Sequence, residues 1–280
     1  MIVADLTPIE NSIRWSSRMP NAAMHVAKTG VSAQQLRMQV IANNLANVNT
    51  TGFKKDRVNF ESLLYQVKKI SGAQTSEGTD SASGLSLGTG VRVVNTQKQH
   101  SQGSLINTDN ALDVAISGTG FFQVLLPDGR FGYTRDGSFS QNAEGILVTS
   151  DGFVIQPEIE IPEDITSITV SADGSVNVNQ PGEVEPVNVG QLQIGTFTNP
   201  RGLQPIGGNF LVETNASGVV QLSNPITNGV GKLVQGSLEN SNVKVVQELV
   251  DMIETQRAYE VSSKTISASD EMMRYINQNL

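Results

Sequence analysis

The stretch QVIANNLANVNTTGFKKDR, residues 39–57, decides the fold. Through its first half Ile41, Leu45 and Val48 recur at helical spacing. Asn43, Asn44 and Asn47 stand beside that apolar stripe, and Asn49, Thr50, Thr51 and Gly52 follow. Threonine disfavours helix continuation through its branched side chain. Asn and Gly accept the left-handed conformation that commonly ends a helix. The stretch reads as the end of a long helix handing over to another kind of structure.

Working upstream, the spacing predicts a helix over 22–47. Asn21, just after Pro20, is the expected N-cap. Met24, Val31, Met38 and Leu45 lie seven apart, and Ala27, Gln34, Ile41 and Val48 form a second column three residues on. Such a helix is about 40 Å long. Gly30 inside it costs roughly 1 kcal/mol against Ala, so packing must hold the helix. The chain ends in a matching element, expected over 243–277 with Asn242 as cap. There Val245, Met252, Tyr259, Ile266 and Met273 keep a seven-residue period. The second column starts at Leu249 and turns polar at Gln256, Ser263 and Asp270. A sustained period of seven favours supercoiled helix pairing. The flanks are small or amide side chains, including Asn43, Asn44, Asn47, Ser262, Ser263 and Ser267. They suit close packing against several neighbours better than an isolated soluble dimer. The expectation is a self-assembling tube or fibre.

Between the helices the pattern changes. Residues 53–70 are ambiguous between strand and short helix, and 71–90 read as a long polar loop. From 91 to 234 the runs alternate with period two. Asp-Gly pairs recur at Asp128-Gly129, Asp136-Gly137, Asp151-Gly152 and Asp173-Gly174, and favour tight hairpins. LLPDGRFGYT and TVSADGSVNV are the clearest of these. The fold class is therefore α+β: two long terminal helices pairing as a coiled coil, with a mainly antiparallel all-β middle. The expected parts are an N-terminal extension over 1–20, an assembly helix over 21–52 and an extended segment with a polar loop over 53–90. An all-β domain over 91–236 and a second assembly helix over 237–280 complete them.

Composition closes several functional classes. Of 280 residues 16% are charged and none is Cys, so disulfides, thiolate zinc sites and cysteine nucleophiles are excluded. The net charge of −8 argues against a nucleic-acid partner. No apolar run is long enough for a membrane span, and the first residues lack the pattern of a cleaved secretory signal. His25 and His100 have no ligand-spaced partner. GxSxG is absent, and the Gly-x-Gly of SGTGFFQV enters a strand rather than a helix, so it cradles no phosphate. In DNALDV the carboxylates Asp109 and Asp113 read as Asx-turn chemistry rather than a calcium loop. No acid pair suits general acid/base work. No cofactor, metal or catalytic residue is expected.

ANNLANVNTTGFK (residues 42–54) closely resembles the N-terminal motif of bacterial flagellar rod and hook proteins. QGSLENSNVKVVQELVDMIETQRAYEVSSKTISASDEMM resembles their C-terminal motif, and GTGFFQVLLPDGRFGYTRDGSFSQNAEGILVTSDGFVIQP resembles their middle. Together these cover about residues 24–276. The segment FKKDRVNFESLLYQ, with Phe53, Lys54, Phe60, Leu63, Leu64 and Tyr65, points to a distal rod member. A proximal rod or hook paralogue is the alternative, and a secreted oligomeric β-domain binding module is the alternative of a different class. The resemblance implies a non-enzymatic subunit of the distal drive shaft, exported by the flagellar export apparatus without a cleaved signal. It implies a helical homo-oligomer that spans the periplasm to the outer membrane and transmits torque around a central channel. The implied neighbours are proximal rod proteins, a hook or hook-junction protein, and ring proteins of the cell wall and outer membrane. In this family the chain begins only a few residues before the match at Ala27, so residues 1–18 are an extension or Met19 is the start.

Overall fold

A computed structural model describes residues 18–278, apart from 71–73, 77–78, 81–82, 163, 183–184 and 228. The expected extension therefore lies almost wholly outside the described residues. The chain forms two compact units. One contains the chain up to Asn43, Asp56–Gln97 and the chain from Val246 onward; the other contains Asn44–Lys55 and Lys98–Val245. Neither unit is continuous in sequence, because the chain enters and leaves each of them more than once.

The first unit is built on two helices, α1 (Arg18–Ala46) and α2 (Val245–Gln278). They pack together. A Cβ placed on Gly30 would lie 3.6 Å from the Ser262 hydroxyl, and Arg37 reaches Asp251 at 3.7 Å. Position rises along α1 as it falls along α2, so the pair is antiparallel. Both ends differ from expectation. α1 begins at Arg18 with Pro20 in its first turn, where a missing N–H costs nothing. Asn21 is thus inside the helix and does not cap it. Nor does Asn242 cap α2; its amide is used in the β unit, as described below.

The same unit holds a β ribbon. Asp56–Ser62 pairs with Val91–Lys98, and Tyr65–Lys69 pairs antiparallel with Leu85–Gly88, Tyr65 opposite Gly88. The ambiguous stretch 53–70 therefore contains strands, not a helix. Much of the polar stretch 71–90 is ribbon rather than loop, with short strands at Gln74–Ser76 and Thr79–Asp80 as well. Ladder hydrogen bonds hold it, a source of order that an apolar-content reading does not register. The Val91 N–H also donates to the Thr29 hydroxyl at 3.3 Å, tying the ribbon to α1.

The second unit is the all-β domain. Its main sheet runs Gln204–Gly207, Phe210–Val212, Phe131–Thr134, Phe121–Leu125, Ile194–Thr196 and Gln221–Ser223, with Ile155–Gln156 also paired to Phe121–Leu125. Phe121–Leu125 is buried on both faces. Phe122 and Val124 enter a core with Val114, Ile116, Val176, Val178, Leu192 and Ile194. Phe121 faces a smaller cluster with Tyr133, Phe197 and Leu211. Both expected hairpins form, with Leu125 opposite Phe131 and Val170 opposite Val176. Their turns are longer than the two-residue type. Only the glycines Gly129 and Gly174 are left-handed; Asp128 and Asp173 instead accept hydrogen bonds from the backbone N–H two residues on. Asp136-Gly137 makes no hairpin, since the strands on either side of it, Phe131–Thr134 and Phe139–Gln141, lie in different sheets; a Cβ on Gly137 would fall 1.8 Å from the Val114 carbonyl oxygen.

Candidate assembly surfaces

The buried face of α2 is not its most apolar column. Thr255 and Ser269 are essentially inaccessible, Glu248 is 3% exposed, and Ser262 and Ile276 continue the same seven-residue column half-buried. Small hydroxyl side chains let the backbones approach closely. The Thr255 hydroxyl donates to the Asp251 carbonyl at 2.6 Å and the Ser269 hydroxyl to the Thr265 carbonyl at 2.8 Å, so both are satisfied within their own helix. The expected column lies on a shoulder of this seam. Met252, Ile266 and Met273 are half-buried, whereas Val245 and Tyr259 are exposed, as are Leu249 and Gln256 of the second column. The period was legible in the sequence, but the contact column lies three residues further on. On α1 Ala27 and Ile41 are buried, Met24, Val31, Met38 and Leu45 are half-buried, and Ala33 is buried near Val91 and Val93. The pair Asp270 and Arg274 forms at 3.0 Å on the surface, where it contributes little.

The helix end at Ala46 is followed by overlapping turns rather than a left-handed Asn. Asn47, Val48 and Thr50 each donate to the carbonyl three residues back, and Asn47 accepts from the Thr50 hydroxyl at 3.1 Å. Asn44 is buried, Asn47 is half-buried, and only Asn43 of the three amides is exposed. The one left-handed residue of the turn is Gly52, at φ 67°. Its N–H donates to the Glu239 carbonyl at 2.7 Å, and a Cβ there would lie 2.7 Å from the Asp136 nitrogen. Gly52→Ala therefore combines left-handed strain with a backbone clash. It should lower the stability of this unit by about 2 kcal/mol in a denaturant titration.

Just beyond, a buried ionic cluster fixes the handover. Lys54 donates to Glu239 Oε1 at 2.5 Å and to the Ser101 carbonyl at 2.9 Å. Glu239 Oε2 lies 3.5 Å from Arg135 Nη1, an ion pair without hydrogen-bond geometry. Arg135 also donates to the Ile116 and Gly118 carbonyls. All three side chains are more than nine-tenths buried. Burial pulls the Lys54 ammonium below its usual range, opposed by Glu239 and reinforced by Arg135; burial likewise lowers Arg135. Asn242 completes the fastening, accepting from the Lys55 N–H at 2.8 Å and donating to the Gln99 carbonyl at 2.7 Å. Nothing in the sequence linked Lys54 to Glu239, because 185 positions separate them.

His100 stands edge-on to Phe121. Burial, and then the nearby Lys54, Lys98 and Arg135, push its pKa from 6.5 down to about 4. The native state thus holds it neutral, while the unfolded chain binds a proton below pH 6.5. The stabilisation is complete above pH 6.5 and is lost as pH falls toward 4. About 3 kcal/mol should disappear across that window. His100→Phe should flatten the slope in unfolding experiments run from pH 7 to 4.

The segment 53–65 divides between the two units. Phe53 and Lys54 are buried in the β unit, while Phe60, Leu63, Leu64 and Tyr65 belong to the ribbon. Leu64 is 88% exposed, and Tyr65, Val67, Leu85 and Leu87 are exposed beside it. α2 likewise exposes Val246, Ile253, Val261 and Tyr275. Such continuous apolar exposure marks interaction surfaces. Among the described residues no group of His, Asp and Glu is arranged to hold a metal ion, and no helix is long and apolar enough to cross a membrane.

Three families of known proteins match separate parts of the chain. Residues 24–54 match the family "Flagella basal body rod protein", 115–178 match "Flagellar hook protein FlgE/F/G D1 domain", and 234–279 match "Flagellar basal body rod FlgEFG protein C-terminal". The chain is 51% identical over 256 residues to the flagellar basal-body rod protein FlgG of Buchnera aphidicola subsp. Acyrthosiphon pisum, covering 91% of this chain and 98% of that one. It is 44% identical over 257 residues to FlgG of Caulobacter vibrioides, with the same coverage, and 37% identical over 252 residues to FlgG of Bacillus subtilis, covering 88% and 94%.

Proposed function

The chain belongs to the flagellar basal-body rod and hook family, and from that premise we propose that its helix pair, ribbon and β unit are the assembly surfaces of a distal rod. It is a structural rod subunit of the flagellar basal body. The observation that carries the assembly reading is the apolar surface left open along α2 and the ribbon. A helix pair with Val246 at 76% and Leu64 at 88% exposure on its unit needs further copies to cover it.

In this reading Met24, Val31, Met38, Ile41, Asn43, Asn44, Leu45 and Asn47 of α1 act with Val245, Leu249, Met252, Gln256, Tyr259, Ile266 and Met273 of α2. Exposed members such as Val245, Leu249 and Tyr259 contact neighbouring copies, and buried ones hold the pair. The helices line a channel through which later subunits pass. The polymer carries torque to the hook and meets proximal rod proteins below, hook components above, and ring proteins around it. Export proceeds without a cleaved signal, and no reaction is catalysed. A strain lacking the gene should make basal bodies without a distal rod or hook and should not swim. Normal flagella in that strain would refute the reading.

A further inference from the structure

In the first unit a groove of about 270 Å³ runs between α1 and the ribbon strand Val91–Lys98. Ala33, Leu36, Val91 and Val93 give it apolar walls, and Lys28 stands in it with its side chain exposed. Arg92, also in the wall, is paired with Glu61 at 2.9 Å. Lys28 makes no ion pair among the described residues. The two helices carry opposite charge. α1 has three Lys and Arg residues and no acid, whereas α2 has six acids and three bases. Within one copy they meet at Arg37 and Asp251, 3.7 Å apart. Glu254, Glu260 and Glu271 of α2 are exposed and make no ion pair among the described residues.

Of these acids, Glu254 shares its face of α2 with the exposed Val250, Ile253 and Val261. That face is turned away from the buried column of Thr255 and Ser269. An apolar groove with one unpaired cation thus matches an apolar helix face with one unpaired acid. The two cannot meet within one copy. Gly30 stands level with Ser262 and Arg37 with Asp251, so Lys28 and Glu254 lie about 10 Å apart along the pair. We propose that the groove of one copy receives α2 of the next copy, with Ile253 seated in it and Glu254 paired to Lys28. Different patches meet in such a contact, so it is heterologous, and a non-closing rotation propagates it into a filament. The proposal rests on the rod-subunit reading and adds to it which faces of the helices meet between copies.

The test is a charge swap in a strain whose own gene is deleted. Lys28→Glu and, separately, Glu254→Lys should each cut completed rods per cell at least tenfold, because like charges then face each other at every repeat of the contact. The double variant Lys28→Glu/Glu254→Lys should restore at least half of them. Normal rod numbers with either single variant, or no recovery with the double variant, would overturn the proposal. Both side chains are exposed, so the purified variants should keep wild-type helix content by circular dichroism. A loss of helix would trace the defect to the subunit itself and overturn the proposal as well. The chain has no Cys, so the contact can also be read by cross-linking. Rods assembled from a mixture of Lys28→Cys and Glu254→Cys chains should give disulfide-linked dimers on oxidation with copper-phenanthroline, and rods of either chain alone should give none. A mixture without dimers, or dimers from Glu254→Cys alone, would overturn the contact. Rods in the parent deletion strain would refute the rod reading instead, which separates the two failures.

Discussion

Glu239→Ala should unfold the β unit at ordinary growth temperature. The substitution leaves Lys54 and Arg135 buried without their shared carboxylate and orphans the Gly103 N–H, which donates to Glu239 Oε1 at 2.8 Å. Removing one partner of a buried ion pair costs about 3–5 kcal/mol, against a total of roughly 5–15 kcal/mol for a whole domain. Chemical denaturation of the full chain, followed by circular dichroism in the β region, would measure the loss. Replacing all three residues together (Lys54→Met/Arg135→Leu/Glu239→Leu) should recover most of it, because no uncompensated charge then remains. A Glu239→Ala protein as stable as wild type would show that the cluster does not hold the handover together.

The second large effect belongs to the helix seam. Thr255→Leu/Ser269→Leu places two bulky side chains where the native pair is inaccessible to solvent. Overpacking costs about 1–3 kcal/mol per site, so the double variant should lose roughly 4 kcal/mol and separate α1 from α2. Rod assembly should fail while the β unit melts normally. Met252→Asp and Ile266→Asp fall on the half-buried shoulder of the same seam. They should weaken the pair less and act mainly on contacts between copies. If Thr255→Leu/Ser269→Leu assembled normally and Met252→Asp/Ile266→Asp did not, the apolar column would be the true seam.

Much of this architecture was legible in the sequence, and the limits have physical causes. Seven-residue spacing revealed both helices and their pairing, since side-chain period is set by helix geometry alone. It did not reveal which column is buried. An apolar column can face a neighbouring copy, while Thr255 and Ser269 can be buried once their hydroxyls bond their own carbonyls. Asp-Gly pairs located the hairpins but not their length. The strands at Tyr65–Lys69 and Leu85–Gly88 were hidden because their pairing depends on ladder hydrogen bonds and not on burial. The expected stop lies at Asn47–Asn49, with Asn and Gly52 taking the left-handed conformation; of these only Gly52 is left-handed, where a Cβ would meet the backbone at Asp136. Lys54, Arg135 and Glu239 stand at three distant places in the chain, and only the fold brings them to one point.

The most direct measurement is a density map of the distal rod in basal bodies purified from the source cell. This chain should fill the distal rod as repeating subunits, with α1 and α2 paired antiparallel along the channel and the Thr255, Ser262 and Ser269 column facing α1. A rod built of another chain, or helices of this chain unpaired in it, would contradict the account.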